Sequence, residues 1–195
     1  MKEQKGATLI EALGVIGILG VVSMGIWTMI GNAYNKMRLS QGVVQLQTLQ
    51  KGITRFYAAA GNYNGLADDN AVKTLIENNI PPPNMLAGTN KLRHSYGGEV
   101  VVKNVPYTDI SEYGSSSDSF AITFKGLTRL PCVEMASISW LGDDSAHIIS
   151  ITIGTNKYTW PSYDGENTVN PLPITRDKAM LECLNAPKDI KWEFR

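Results

Sequence analysis

The sequence predicts an α+β protein: a long amino-terminal helix, apolar in its first half, packed by its second half on a globular head with an antiparallel sheet. Three observations predict it. No charged residue occurs between Glu11 and Lys36, a gap of about 24 residues that would span roughly 36 Å as a helix and cross a bilayer core. An apolar stripe at helical spacing follows with no intervening break. Four later segments, 99–105, 119–125, 148–153 and 189–194, are rich in β-branched and aromatic residues and read as strands of one sheet.

The first stretch, Lys5-Gly6-Ala7-Thr8-Leu9-Ile10-Glu11-Ala12-Leu13, places one acid at the start of the apolar run. Residues 12–35 read as membrane-spanning. A carboxylate near hydrocarbon costs about 2.5–3.5 kcal/mol and is kept where a partner or a function needs it. A secretory signal peptide would have a shorter apolar region ending at a small-residue cleavage site. Here the run continues into an amphipathic helix, and the basic segment ending at Gly6 precedes it.

These residues resemble the type IV prepilin signature, a short basic leader ending in glycine followed by a small or apolar first residue and a glutamate at the fifth mature position. Gly6, Ala7 and Glu11 match it position by position. The resemblance implies that a prepilin peptidase cuts after Gly6, removing residues 1–6, and that Ala7 is N-methylated. Cleavage would leave an amine on Ala7 that is positive at neutral pH and cannot rest unpaired in lipid. Glu11 is then the subunit-docking residue, pairing with the amine of an adjacent subunit.

From residue 34 to residue 60 the chain contains no proline, and Leu39, Val43, Leu46, Leu49, Ile53, Phe56 and Ala60 recur at spacings of three and four, which lines one helix face. Residues 8–60 thus read as one rod of roughly 80 Å, ended by Gly61, which can take a left-handed cap conformation. The helix occupies 7–60, its apolar part 7–35, and the head 61–195. Glycines at 14, 17, 20, 25 and 31 cost a water-exposed helix about 1 kcal/mol each and suit close helix approach in a bundle.

Within the head, 62–70 reads as a polar turn region, and 71–79 as a short helix stopped by Pro81-Pro82-Pro83. Segments 130–141 and 175–185 read as helices, each carrying one of the two cysteines, Cys132 and Cys183. A basic leader kept in the cytoplasm puts both cysteines outside, where disulfides persist. Two arrangements follow: a bond closing a loop of about 50 residues, worth up to about 4 kcal/mol, or two unpaired thiols.

Ser119-Phe120-Ala121-Ile122, then Gly126-Leu127-Thr128 and Cys132, together with Gly61-Asn62-Tyr63 after the long helix, resemble the type IVb pilins, and with them the pilin fold and its single disulfide. The six-residue leader is shorter than usual in that subclass, and Ala7 replaces a bulkier first residue.

Chemistry of other kinds finds little support. Formal net charge is zero, so nucleic acid is not an expected partner. His94 and His147 stand far apart and read as surface or half-buried structural residues. Asp68-Asp69 and Asp143-Asp144 read as solvated turn acids rather than calcium ligands or paired catalytic acids. Tyr96-Gly97-Gly98 lacks the spacing of a phosphate-binding loop. No catalytic residue, metal site or cofactor is expected, and the chain does not read as an enzyme. The resemblance implies the major subunit of an extracellular filament serving adhesion, aggregation or conjugative mating. Its partners would be other copies of itself, the peptidase, the inner-membrane assembly machinery, and a host or recipient cell surface. A minor pilin or a type II secretion pseudopilin is the alternative.

Overall fold

The computed structural model describes residues 9–68, 70–105, 119–138, 148–160 and 170–195, with the side chains of 9–10 and 21–28 outside the description. It divides into two compact units, Met1–Arg38 and Leu39–Arg195. The boundary falls inside the first helix, α1, Leu9–Tyr57. Among the described residues no helix is long and apolar enough to cross a membrane. The expected spanning segment, 12–35, includes residues 21–28, whose side chains are not described.

In the first unit the described side chains of α1 are exposed over 11–20 and 29–37, and Arg38 is half-buried. In the second, Leu46, Leu49 and Ile53 are fully buried in the core, with Leu39 and Val43 packed at its margin. The stripe does not extend as far as expected. Phe56 is 42% exposed, and Ala60 lies beyond the helix end, exposed. Tyr57 takes the last inward position instead. The chain leaves the helix there: Ala60 N–H and Gly61 N–H both donate to the Tyr57 carbonyl, at 3.0 and 3.2 Å. Gly61 has φ +65°, the left-handed cap conformation expected of it.

Three short helices complete the helical part: α2, Ala71–Glu77; α3, Arg129–Ala136; and α4, Arg176–Glu182. All are shorter than the sequence suggests. Pro131 is tolerated in the first turn of α3, where a missing N–H leaves no bond unmade. At α4 the expected first residue, Thr175, caps the start by accepting from Lys178 N–H, while Cys183, two residues short of the expected end at Asn185, closes the helix.

The sheet has six strands: β1, Leu92–Arg93; β2, Glu99–Val105; β3, Ser119–Leu127; β4, Ile148–Ile153; β5, Asn156–Thr159; and β6, Lys188–Phe194. Their spatial order is β1-β2-β3-β6-β4-β5, with every neighbouring pair antiparallel. Strands β1 and β5 were not anticipated, being two and four residues long. The register aligns Val100, Phe124, Ile190 and Ile153 in one row, and Val102, Ile122, Trp192 and Ile151 in the next. All eight are buried and join the α1 residues in one core. Alternation sends Val101, Thr123, Lys191 and Thr152 to the opposite face, beside Lys103, Ala121, Glu193 and Ser150.

Short segments take up some backbone groups at each rim of the sheet. Beyond β1, Leu86 bridges Leu92, and Ala87 N–H donates to the Lys91 carbonyl at 3.0 Å. Beyond β5, Thr159 N–H donates to the Asn170 carbonyl and Leu172 N–H to that of Thr159, at 3.1 and 2.8 Å.

Candidate assembly site

Gly6 and Ala7, the expected cleavage pair, lie outside the described residues. Glu11 stands in the first turn of α1, where the positive end of the helix dipole favours a carboxylate. Its side chain is exposed. After it, Leu13, Val15, Ile16, Ile18 and Leu19 are exposed as well, as are Met29 and Ile30. Spacings of one and two among these positions spread them around the helix, so they do not form a single stripe of the kind that packs on one core. At Gly14, Gly17, Gly20 and Gly31 a Cβ would meet no described atom within 4 Å. Packing on described residues therefore does not require glycine there.

In the head, Cys132 of α3 and Cys183 at the end of α4 form a disulfide, with Cα atoms 5.9 Å apart. Both cysteines are fully buried, while Leu130 of α3, Leu181 of α4 and Leu184 just past the end of α4 carry exposed apolar surface. A second tie holds α4 to the sheet. Glu182 accepts from the Tyr158 hydroxyl at 2.7 Å and from Asn156 Nδ2 at 2.6 Å, both on β5. Burial, then the hydrogen bond to Glu182, pushes the Tyr158 hydroxyl pKa up.

Two titratable residues, Glu193 and His94, lie deeper than their sequence neighbourhood suggests. Glu193 is 5% exposed. It accepts from Ser150 Oγ at 2.5 Å, Lys157 Nζ at 2.8 Å and Lys191 Nζ at 2.6 Å. Burial raises its pKa, but hydrogen bonds from Lys157, Lys191 and Ser150 outweigh burial and hold it down at about 2. His94, expected at or near the surface, is 3% exposed. Its burial follows from the tight return between β1 and β2. A Cβ on Gly98 would strike the Lys125 carbonyl and His94 Nε2, so only glycine lets the ring reach β3. The signal in the sequence is Gly98 itself, four residues after a histidine and directly before a strand-like run.

Cys132 and Cys183 are thus brought together, while His147 and Asp143-Asp144 fall outside the described residues, as does Asp69 beside Asp68. Among the described residues no His, Cys, Asp and Glu group could hold a metal ion.

A family model described as Bundlin matches residues 32–183, from the middle of α1 to the second disulfide cysteine. The chain belongs to the Bundlin family of type IVb pilins. Two relatives named toxin coregulated pilin match the chain. That of Vibrio cholerae is 27% identical over 140 residues, covering 72% of this chain and 59% of its own. That of Vibrio cholerae serotype O1 is 29% identical over 129 residues, covering 66% and 55%. The chain therefore spans less than two thirds of the length of these curated relatives. The fold agrees with two crystal structures. A type IVb pilin from Salmonella typhi superposes with a TM-score of 0.51 at 19% identity, covering 78% of this chain and 98% of that one. TcpA, a type IV pilin from the Vibrio cholerae El Tor biotype, gives 0.50 at 17% identity, covering 82% and 99%. The long helix, antiparallel sheet and single disulfide are those of the pilin fold, and the relatives are structural pilins rather than enzymes.

Proposed function

We propose that the chain is the major structural subunit of a type IVb pilus, held in the inner membrane by residues 7–35 until it polymerises into an extracellular filament. One observation carries the reading: over its described positions 11–20 and 29–30 the first half of α1 exposes apolar side chains around the helix, with an acid, Glu11, in its opening turn. Such a surface is stable in lipid or against other copies of itself. In the filament, Glu11 pairs with the Ala7 amine that cleavage after Gly6 creates on a neighbour. The peptidase that makes this cut, the membrane assembly machinery, and a role in adhesion, aggregation or mating belong to the same proposal.

Glu11→Val tests it. The substitution removes a charge disfavoured in lipid, so the subunit is expected to insert and be processed normally, while filament yield after shearing falls. Intact mass of the processed subunit should match a chain starting at Ala7, carrying a methyl group. Wild-type filament yield from the Glu11→Val strain would overturn the docking role, and a mass retaining residues 1–6 would overturn the cleavage assignment. A chain found only at trace abundance in sheared filaments would be a minor subunit.

A further inference from the structure

We propose that His94 is an acid-sensitive latch: a second proton on its ring unties the return between β1 and β2 from β3 and loosens the hold of that return on α1. The geometry assigns the ring its resting proton. Nε2 lies 2.9 Å from the Lys125 carbonyl of β3, which can only accept, so Nε2 carries the hydrogen. Nδ1 lies 3.2 Å from Tyr96 N, which can only donate, so Nδ1 is bare. The neutral ring thus uses both nitrogens on backbone groups, and its face stacks on Phe124 at 4.8 Å between centroids. An imidazolium cannot reproduce this arrangement, since the added Nδ1–H would face the Tyr96 N–H.

The consequence reaches α1 through the next residue. Ser95 N–H donates to Gln45 Oε1 of α1 at 2.8 Å, and Gln45 is buried. Gly42, one helical turn earlier, is so close that a Cβ would sit 3.0 Å from Ser95 Oγ. Helix and return are therefore held together at Ser95, directly beside the ring. The charged groups on the strands that hold the ring are Arg93 of β1, Glu99 and Lys103 of β2 and Lys125 of β3; the Tyr96 ring lies 6.0 Å from it, and the α1 residue bonded to the return is neutral Gln45. Glu99 is engaged with Lys125 Nζ at 2.9 Å. Among the described residues no carboxylate is paired with the ring, and its burial lowers the pKa despite the bond to Lys125.

The sign follows from that direction. The opened state binds the proton with the ordinary histidine pKa of 6.5 and the closed state binds it less well. The latch is therefore closed above pH 6.5, and opening gains up to about tenfold per pH unit below it, until the closed-state pKa is reached.

Hydrogen exchange of the full chain in detergent, with ring titration followed by NMR, tests this. After correction for intrinsic exchange, protection at Ser95 and Tyr96 amides should fall about tenfold per pH unit below 6.5, while Thr123 and Trp192 amides in the central strands stay constant. The His94 ring should titrate below 6.5 in step with that loss, and His94→Gln should make the protection independent of pH. Loss at all four amides together would mean global unfolding and overturn the latch. So would constant protection at Ser95 and Tyr96 across the ring's titration. If His94→Gln does not fold, the wild-type comparison of ring titration with amide protection decides the matter alone.

Discussion

Glu193 shows how far a single residue can depart from its local pattern. In β6, alternation points Ile190, Trp192 and Phe194 inward and predicts that Lys191 and Glu193 face solvent. Lys191 is part-exposed, but Glu193 is covered, because β6 lies between β3 and β4 and brings Ala121 and Ser150 against it. Those neighbours are more than 40 residues away along the chain, so nothing local announces them. A carboxyl held at about 2 against an ordinary 4.5 contributes stability that is present above pH 4.5 and is lost as pH falls through about 2. Its lysine partners are 52% and 37% exposed, so much of their attraction is screened. Glu193→Gln is expected to lower head stability by about 1–3 kcal/mol at pH 7 and to flatten acid unfolding between pH 4.5 and 2. Denaturant titrations at pH 7 and pH 3 check both. His94 was equally opaque, since its burial depends on a glycine four positions away and a carbonyl on another strand.

Elements were more legible than residues. The strands at 99–105 and 148–153 have the expected bounds, and β3 and β6 differ by at most two residues at one end. Their signal is local, a run of β-branched and aromatic side chains between turn residues. Helix α1 was also legible until its last turn, where a stripe drawn by spacing alone continued to Phe56 while the core took Tyr57. The reason is the partner: Tyr57 stacks edge-on with Tyr63 at 5.7 Å, and Tyr63 packs on Phe120 at 4.7 Å. Ile53→Ala should therefore cost about 2–5 kcal/mol, and Phe56→Ala no more than about 1 kcal/mol. Paired melting curves of the two variants would check this, and a larger loss at Phe56 would place the stripe where spacing alone put it.

At the scale of the molecule, the fold class and the disulfide were readable, but the order of the strands was not. The last strand of the chain lies inside the sheet, and no local pattern records which strands will flank it. The disulfide closes a separation of 51 residues that contains β4, β5 and α4. Cys132→Ser is expected to cost the head about 2–4 kcal/mol, read from the denaturant midpoint, with thiol labelling of the native wild type expected to give no signal. Stoichiometric labelling of the native protein would contradict the bond. The segments along the two rims of the sheet have a separate consequence. Leu86 and Ala87 on one side, and Asn170 to Leu172 on the other, take up backbone groups that an open edge would offer to another chain. In the filament proposed above, where copies would lie at high local concentration, the groups so engaged are withdrawn from pairing strand to strand with a neighbour.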